Sequence, residues 1–369
     1  MFEVLCAVLI LAVQASTLRD DGCTITEFEQ IEDIVSSCSD IFVDDLVVPG
    51  GETLNLTLKQ GASATIRGQI TFGYTEWGGP LVQISGSGIT VTGETDNVLD
   101  GQGQLYWDGL GEWGVLKPNF FNIQADANSL IQGLYVLDCP LHCVVIANSS
   151  DVTLKDWSIN NAAGDRDVAP LNKYSLNTDG FDIWNSTNVV IRDMVVFNQD
   201  DCVSVRSGSN VLVDNVFCHG SKGISISVGF SNDSIESNTL ENVTFTNSVV
   251  VGGWNAIHIR THADSGEGII NNVTYENIVF SGLQEYGINI QQNYVDVPEN
   301  STSNPSPRDN IPITNLIFNN ITGTVVPQAV PVYINCADGA CSDWHWHGVT
   351  VGGTEAMNSC NYLPEGFQC

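Results

Sequence analysis

The chain of 369 residues carries a formal charge of −31, with 43% hydrophobic residues and 35 glycines. Such a charge repels nucleic acid and anionic membranes, and the hydrophobic share excludes a disordered chain. The glycines point to many tight turns and short strands, in one large all-β domain or two ordinary ones.

At the start, "MFEVLCAVLILAVQAS" holds an apolar run too short to span a bilayer, followed by the small-residue cleavage pattern Val13-Gln14-Ala15. It predicts a secretory signal peptide over 1–15, a mature domain over 16–369 and a secreted, extracellular protein; a buried N-terminal strand is the alternative. No later run is apolar for long enough to form a transmembrane helix. Removing Cys6 with the signal leaves ten cysteines: Cys23, Cys38, Cys139, Cys143, Cys202, Cys218, Cys336, Cys341, Cys360 and Cys369. An even set without histidines at finger-like spacing reads as disulfides and not as zinc ligands. Sequons at Asn55, Asn148, Asn185, Asn232, Asn242, Asn272, Asn300 and Asn320 permit glycosylation.

Further along, "SGITVTG", "SDVTLKD", "TNVVIRD", "SNVLVDN", "ENVTFTN", "NNVTYEN" and "TNLIFNN" share one alternating pattern after a polar turn. The repeat is irregular, with a minimum near 22 residues between Val189 and Val211, as when each coil has a fixed strand and variable loops. Short β-branched strands without intervening amphipathic helices argue for an all-β solenoid, a parallel β-helix of about ten coils.

A second strand family, "GFDIW", "CVSVR", "GISIS", "AIHIR" and "YGINI", runs from 180 to 290. With Phe181, Val203, Ile224, Ile257 and Ile288 as an inward column, alternation turns Asp182, Ser204, Ser225, His258 and Asn289 outward. Trp184, Arg206, Ser227, Arg260 and Gln291 face out two residues further on, and Asp179, Asp201, Lys222, Asn255 and Tyr286 are expected as a third outward column before the strands. Coils about 4.8 Å apart would bring Asp179 and Asp201 together, where two carboxylates share a water. Asp200 reaches the same cleft only if the chain bends there. The plain alternatives are an Asx-turn at Asp179, a solvated turn at Asp200 and Asp201, a turn histidine at His219 and an ordinary ion pair at Arg260. The company of Arg206, Arg260, Lys222, His219 and Tyr286 favours a catalytic cleft, because one solenoid face gains nothing structural from such a set.

At these residues the sequence resembles glycoside hydrolase family 28, the polygalacturonases, over essentially the whole mature chain. The motifs are "NTDG" at 177–180, "QDD" at 199–201, "CHG" at 218–220 and "RTH" at 260–262, with "EYGINIQQNY" carrying Tyr286 and "LDGQGQLYWDG" at 99–109. The resemblance implies a right-handed parallel β-helix and endo-hydrolysis of α-1,4-galacturonosyl bonds of pectin with inversion. It assigns Asp200 as the acid, Asp179 and Asp201 as activators of water, and His219 as the group that orients the acid. Arg260, His262, Tyr286, Lys222 and Asn177 are then substrate-binding, Arg260 by a fork on the uronate carboxylate. An inverting site is expected to hold acid and base roughly 6.5 to 9.5 Å apart. The resemblance also pairs Cys202 with Cys218, Cys23 with Cys38, Cys336 with Cys341, Cys360 with Cys369, and Cys139 with Cys143. It calls for no cofactor and no metal, and for a monomer acting on polygalacturonate or pectin, with plant polygalacturonase-inhibiting proteins as a further partner.

Two departures stand out: Cys218 replaces a glycine, and His262 replaces a lysine that meets the substrate carboxylate. An imidazole of ordinary pKa, about 6.5, would supply that charge only under mildly acidic conditions. The alternatives are a non-catalytic relative that binds pectin or an inhibitor protein, a hydrolase of xylogalacturonan or rhamnogalacturonan, and a calcium-dependent lyase of the same architecture.

Overall fold

A computed structural model describes residues 22–298, 301 and 303–369; the expected signal peptide over 1–15, Cys6 and Asn300 lie outside the described residues. Among these residues the strands form two sheets, of 19 and 11 strands, and neighbouring coils pair in parallel register. Among the described residues no helix is long and apolar enough to cross a membrane. The helix Ile31–Ser37 covers one end of the stack with Ile31, Ile34 and Val35, whose spacing gives it one apolar face.

The 11-stranded sheet contributes one strand per coil and carries the expected inward column. Phe181 pairs with Val203, Val203 with Ile224, Ile224 with Ile257 and Ile257 with Ile288, and all five are fully buried. The outward column Asp182, Ser204, Ser225, His258 and Asn289 stands in the same register.

In the other sheet the strands Ser186–Phe197, Gly208–His219, Thr239–Thr246 and Ile269–Leu283 turn corners at asparagines in the left-handed region, among them Asn188, Asn210, Asn242 and Asn272 at φ of 53, 56, 57 and 55°. Asparagine tolerates that conformation better than most residues. Stacking then converts tolerance into bonding. The Asn188 amide donates to Asp151 at 2.9 Å, Asn210 to Asn188 at 3.1 Å, Asn242 to Asn210 at 3.1 Å, Asn272 to Asn242 at 2.7 Å and Asn315 to Asn272 at 3.1 Å.

Five disulfides join Cys23 to Cys38, Cys139 to Cys143, Cys202 to Cys218, Cys336 to Cys341 and Cys360 to Cys369. The Cys202–Cys218 bridge ties the strand Asp201–Val205 to the strand Gly208–His219 of the other sheet, directly behind the outward carboxylates.

Candidate active site

The third column of outward residues is only partly formed. Asn255 does pair with Tyr286, but the ladder slips between Asp201 and Val203, so Asp201 stands opposite Gly223 and not Lys222. A strict two-residue period would put Asp179 and Asp201 on the inward side with Phe181 and Val203, so the alternation used above does not itself place them in the cleft. Asp200, of the opposite parity, already faces out with Ser204, and the bulge after Asp201 bends the chain there. Asn198 fixes that bend by donating its amide to the carbonyls of Thr178, Asp200 and Asp201 at 2.8, 3.1 and 2.8 Å. Gly180 is required by close approach: a Cβ there would lie 2.4 Å from the Cys202 carbonyl oxygen. The left-handed residue of this turn is Asn177, at φ 53°.

A cavity of about 500 Å³ opens on this face. Asp179 and Asp200 line it, with Asn177, Lys222, Arg260 and His262. Asp201 lies beneath, fully buried. One carboxylate oxygen from each of Asp179, Asp200 and Asp201 lies within 4.8 Å of the others, closer than the gap expected of an inverting pair. The three form one cluster, and like charges so close cannot all ionise independently.

Each carboxylate has a cationic partner. Asp201 accepts both arms of Arg260, at 3.1 and 2.6 Å, and the Ser225 hydroxyl at 2.7 Å. Burial opposes its charge, but Arg260 overrides burial and holds the Asp201 carboxyl below the usual range. Lys222 meets Asp200 at 2.7 Å. Arg206 spans Asp179 at 3.0 Å and Asp182 at 2.7 Å. Burial raises the Asp179 carboxyl well above its ordinary value; His142 pulls it down, while Asp182 and Asp200 push it further up. The Asp179 carboxylate is therefore a stronger base than an isolated aspartate, and its charge is coupled to those of Asp182 and Asp200.

Several expectations need correction. The Arg260 fork expected on a uronate is closed on the buried Asp201, and a further bond joins Arg260 and His258 Nδ1 at 2.9 Å. Tyr286 opens its strand, faces Tyr333 at 5.4 Å and is not among the cavity-lining residues. A slip after Arg260 brings Tyr294 opposite His262 instead, with Arg260 over its ring at 4.9 Å. His219 ends a strand of the other sheet, lies 5.2 Å from Phe197 and also stands off the cavity. His262 does line the cavity, but burial first, then Arg260 and Arg206, pull its pKa down to about 3, so the expected charge is absent.

His142 was not among the expected site residues, because it sits in a cysteine loop outside the repeated strands. Its Nδ1 lies 2.7 Å from Asp182 and 3.3 Å from Asp179. Burial opposes its charge, yet these two carboxylates push its pKa up to about 9. Trp184 and Phe230, 4.7 Å apart, also line the cavity, with Arg206 4.7 and 5.0 Å from their rings. Trp184 was legible as an outward position; Phe230 lies in a loop beyond the strand pattern.

Known proteins share this architecture along the chain. A polygalacturonase from Phaedon cochleariae is 43% identical over 373 residues, covering 100% of this chain and 99% of that protein. Endopolygalacturonase I from Aspergillus aculeatus is 40% identical over 337 residues, 90% of this chain and 85% of that protein. Among solved structures, endopolygalacturonase I from Stereum purpureum, complexed with two galacturonate, matches at a TM-score of 0.73 and 29% identity over 92% of this chain and 100% of that one. An endo-xylogalacturonan hydrolase from Aspergillus tubingensis matches at 0.73 and 25% over 94% and 98%. The model of glycosyl hydrolases family 28 matches residues 38–369, and the chain belongs to that family.

Proposed function

We propose that this chain is an endo-acting polygalacturonase that hydrolyses α-1,4-galacturonosyl bonds of pectin with inversion, outside the cell. The observation that carries hydrolysis is the pairing of Asp179 and Asp200 on the cavity wall above Asp201; inversion is supported by membership of the family and not by this separation, which is shorter than the usual inverting gap. Asp200 gives its proton to the glycosidic oxygen as the bond to the anomeric carbon breaks. Asp179 takes a proton from the water that attacks that carbon. Asp201, ionised and held by Arg260, supports the water-activating charge from below. Lys222 and Asn177, 2.7 and 3.5 Å from Asp200, orient the acid, a part the resemblance gave to His219.

Family membership and the endopolygalacturonases among the relatives support endo action. Five disulfides support an oxidising, extracellular setting. The continuous parallel stack supports one domain. We take the enzyme to be a monomer whose cleft is also the surface an inhibitor protein would cover.

The test is the product profile on polygalacturonate over time. Mixed oligomers and an early fall in viscosity are expected. Release of monomer or dimer alone from the first time point would overturn endo action, and no new reducing ends would overturn hydrolysis.

A further inference from the structure

The cavity wall around His262 presents aromatic faces to a ligand and no uncommitted charge. His262 packs against Phe230 at 4.3 Å and Tyr294 at 5.0 Å, with its Nε2 3.2 Å from the Ser227 hydroxyl. Phe230 is 39% exposed and Trp254 37%, both lining the same cavity. Aromatic surface left this open at the mouth of a cleft suits an apolar group on the ligand.

The cations of this cavity are already spent on its own carboxylates: Arg206 on Asp179 and Asp182, Arg260 on Asp201, and Lys222 on Asp200. Protonated His142 is likewise held between Asp179 and Asp182. The flat faces of both arginines are covered, Arg206 by Trp184 and Phe230 and Arg260 by Tyr294. Glu112 and Asp296 add two more acidic side chains to the lining. The whole chain, at −31, opposes a polyanion. A free carboxylate pressed against this wall would lose water without gaining a counter-charge, which is strongly unfavourable. A masked carboxyl would not meet that penalty: its carbonyl oxygen accepts a hydrogen bond from a neutral imidazole or a hydroxyl, and its alkyl group lies on the rings.

We propose that the wall formed by Trp184, Phe230, His262 and Tyr294 receives a galacturonate residue whose carboxyl is esterified, so that the preferred substrate is a partly methyl-esterified galacturonan and not the free polyacid. The inference rests on the galacturonan-hydrolase reading above.

The experiment measures kcat/KM on galacturonans of graded methyl esterification, from fully de-esterified to about half-esterified, at high salt so that long-range repulsion is screened. The wild type is expected to favour a partly esterified polymer by at least about threefold, the order of effect of burying one methyl group. His262→Lys should reverse that order toward the free acid, and His262→Gln, which stays neutral, should keep it. A wild-type rate that falls steadily from the de-esterified polymer would overturn the inference and leave the hydrolase reading standing. An order unchanged in His262→Lys would also overturn it. If no polymer of the series is cut, the hydrolase reading itself fails, and the ester preference with it.

Discussion

Two polar stacks climb this solenoid at the same coil spacing and do opposite things. The corner ladder, anchored on Asp151, repeats one neutral side chain through Asn188, Asn210, Asn242, Asn272 and Asn315, and each amide donates to the residue of the coil before it. On the cleft face the residue type varies along the column, which reads Asp182, Ser204, Ser225, His258 and Asn289. There, buried charges balance in unlike pairs, as in Arg206 with Asp182 and Arg260 with Asp201. A repeated polar residue stabilises its own copy in the next coil and needs no ligand. A column that varies gains nothing from repetition, and its buried ions are retained although apolar packing would often serve stability as well. In this fold, variation within an outward column marks the working face.

The largest expected effect separates the stacks by chemistry. Asp200→Asn should lower initial release of reducing ends from polygalacturonate by roughly 10²- to 10⁴-fold, because an amide supplies no acid proton, while thermal unfolding stays cooperative. Activity within a few-fold of wild type would remove Asp200 from the acid role. Arg260→Ala comes next, since it leaves Asp201 buried without a counter-charge. A loss of about 3–5 kcal/mol in urea unfolding is expected, and a loss below about 1 kcal/mol would mean that the fork is not structural.

His142 sharpens the comparison through pH. Its folded pKa is raised to about 9, from an unfolded value of about 6.5. The stability it contributes is therefore fully present below about pH 6.5 and lost as pH rises through about 9. The melting temperature of wild type should fall more steeply across that window than that of His142→Gln; parallel curves would show that the imidazolium is not held by Asp179 and Asp182. The smallest effect belongs to the ladder. Asn242→Gly keeps the left-handed corner but removes the amide, and should lose about 1 kcal/mol of stability with hydrolysis unchanged. A lost catalytic rate in that variant would break the division between the two stacks.

Much of this division is legible in the amino-acid order, because strand cores have a strict two-residue period. Phe181, Val203, Ile224, Ile257 and Ile288 therefore announce both the coil and its register. What escapes is whatever depends on departures from that period. Asp200 facing the cavity with Asp201 below it follows the period of Val203, but Asp179 reaches the cavity against the period of Phe181, and the slip after Arg260 substitutes Tyr294 for Tyr286. His142 escapes because a loop between two cysteines carries no period. The charge state of His262 escapes because it depends on the rings of Phe230 and Tyr294 and on two arginines, and none of these is its neighbour in sequence.

The central claim is that the close cluster of Asp179, Asp200 and Asp201 cleaves the bond in one step with water, and not through a covalent glycosyl-enzyme. Proton NMR of the first products from an α-linked galacturonan oligomer, recorded before mutarotation, tests it directly. The account predicts that the new reducing end appears as the β-anomer. An α-anomer at the earliest time would contradict it, because carboxylate oxygens within 4.8 Å of one another would then be acting as nucleophile and acid in a retaining, two-step hydrolysis.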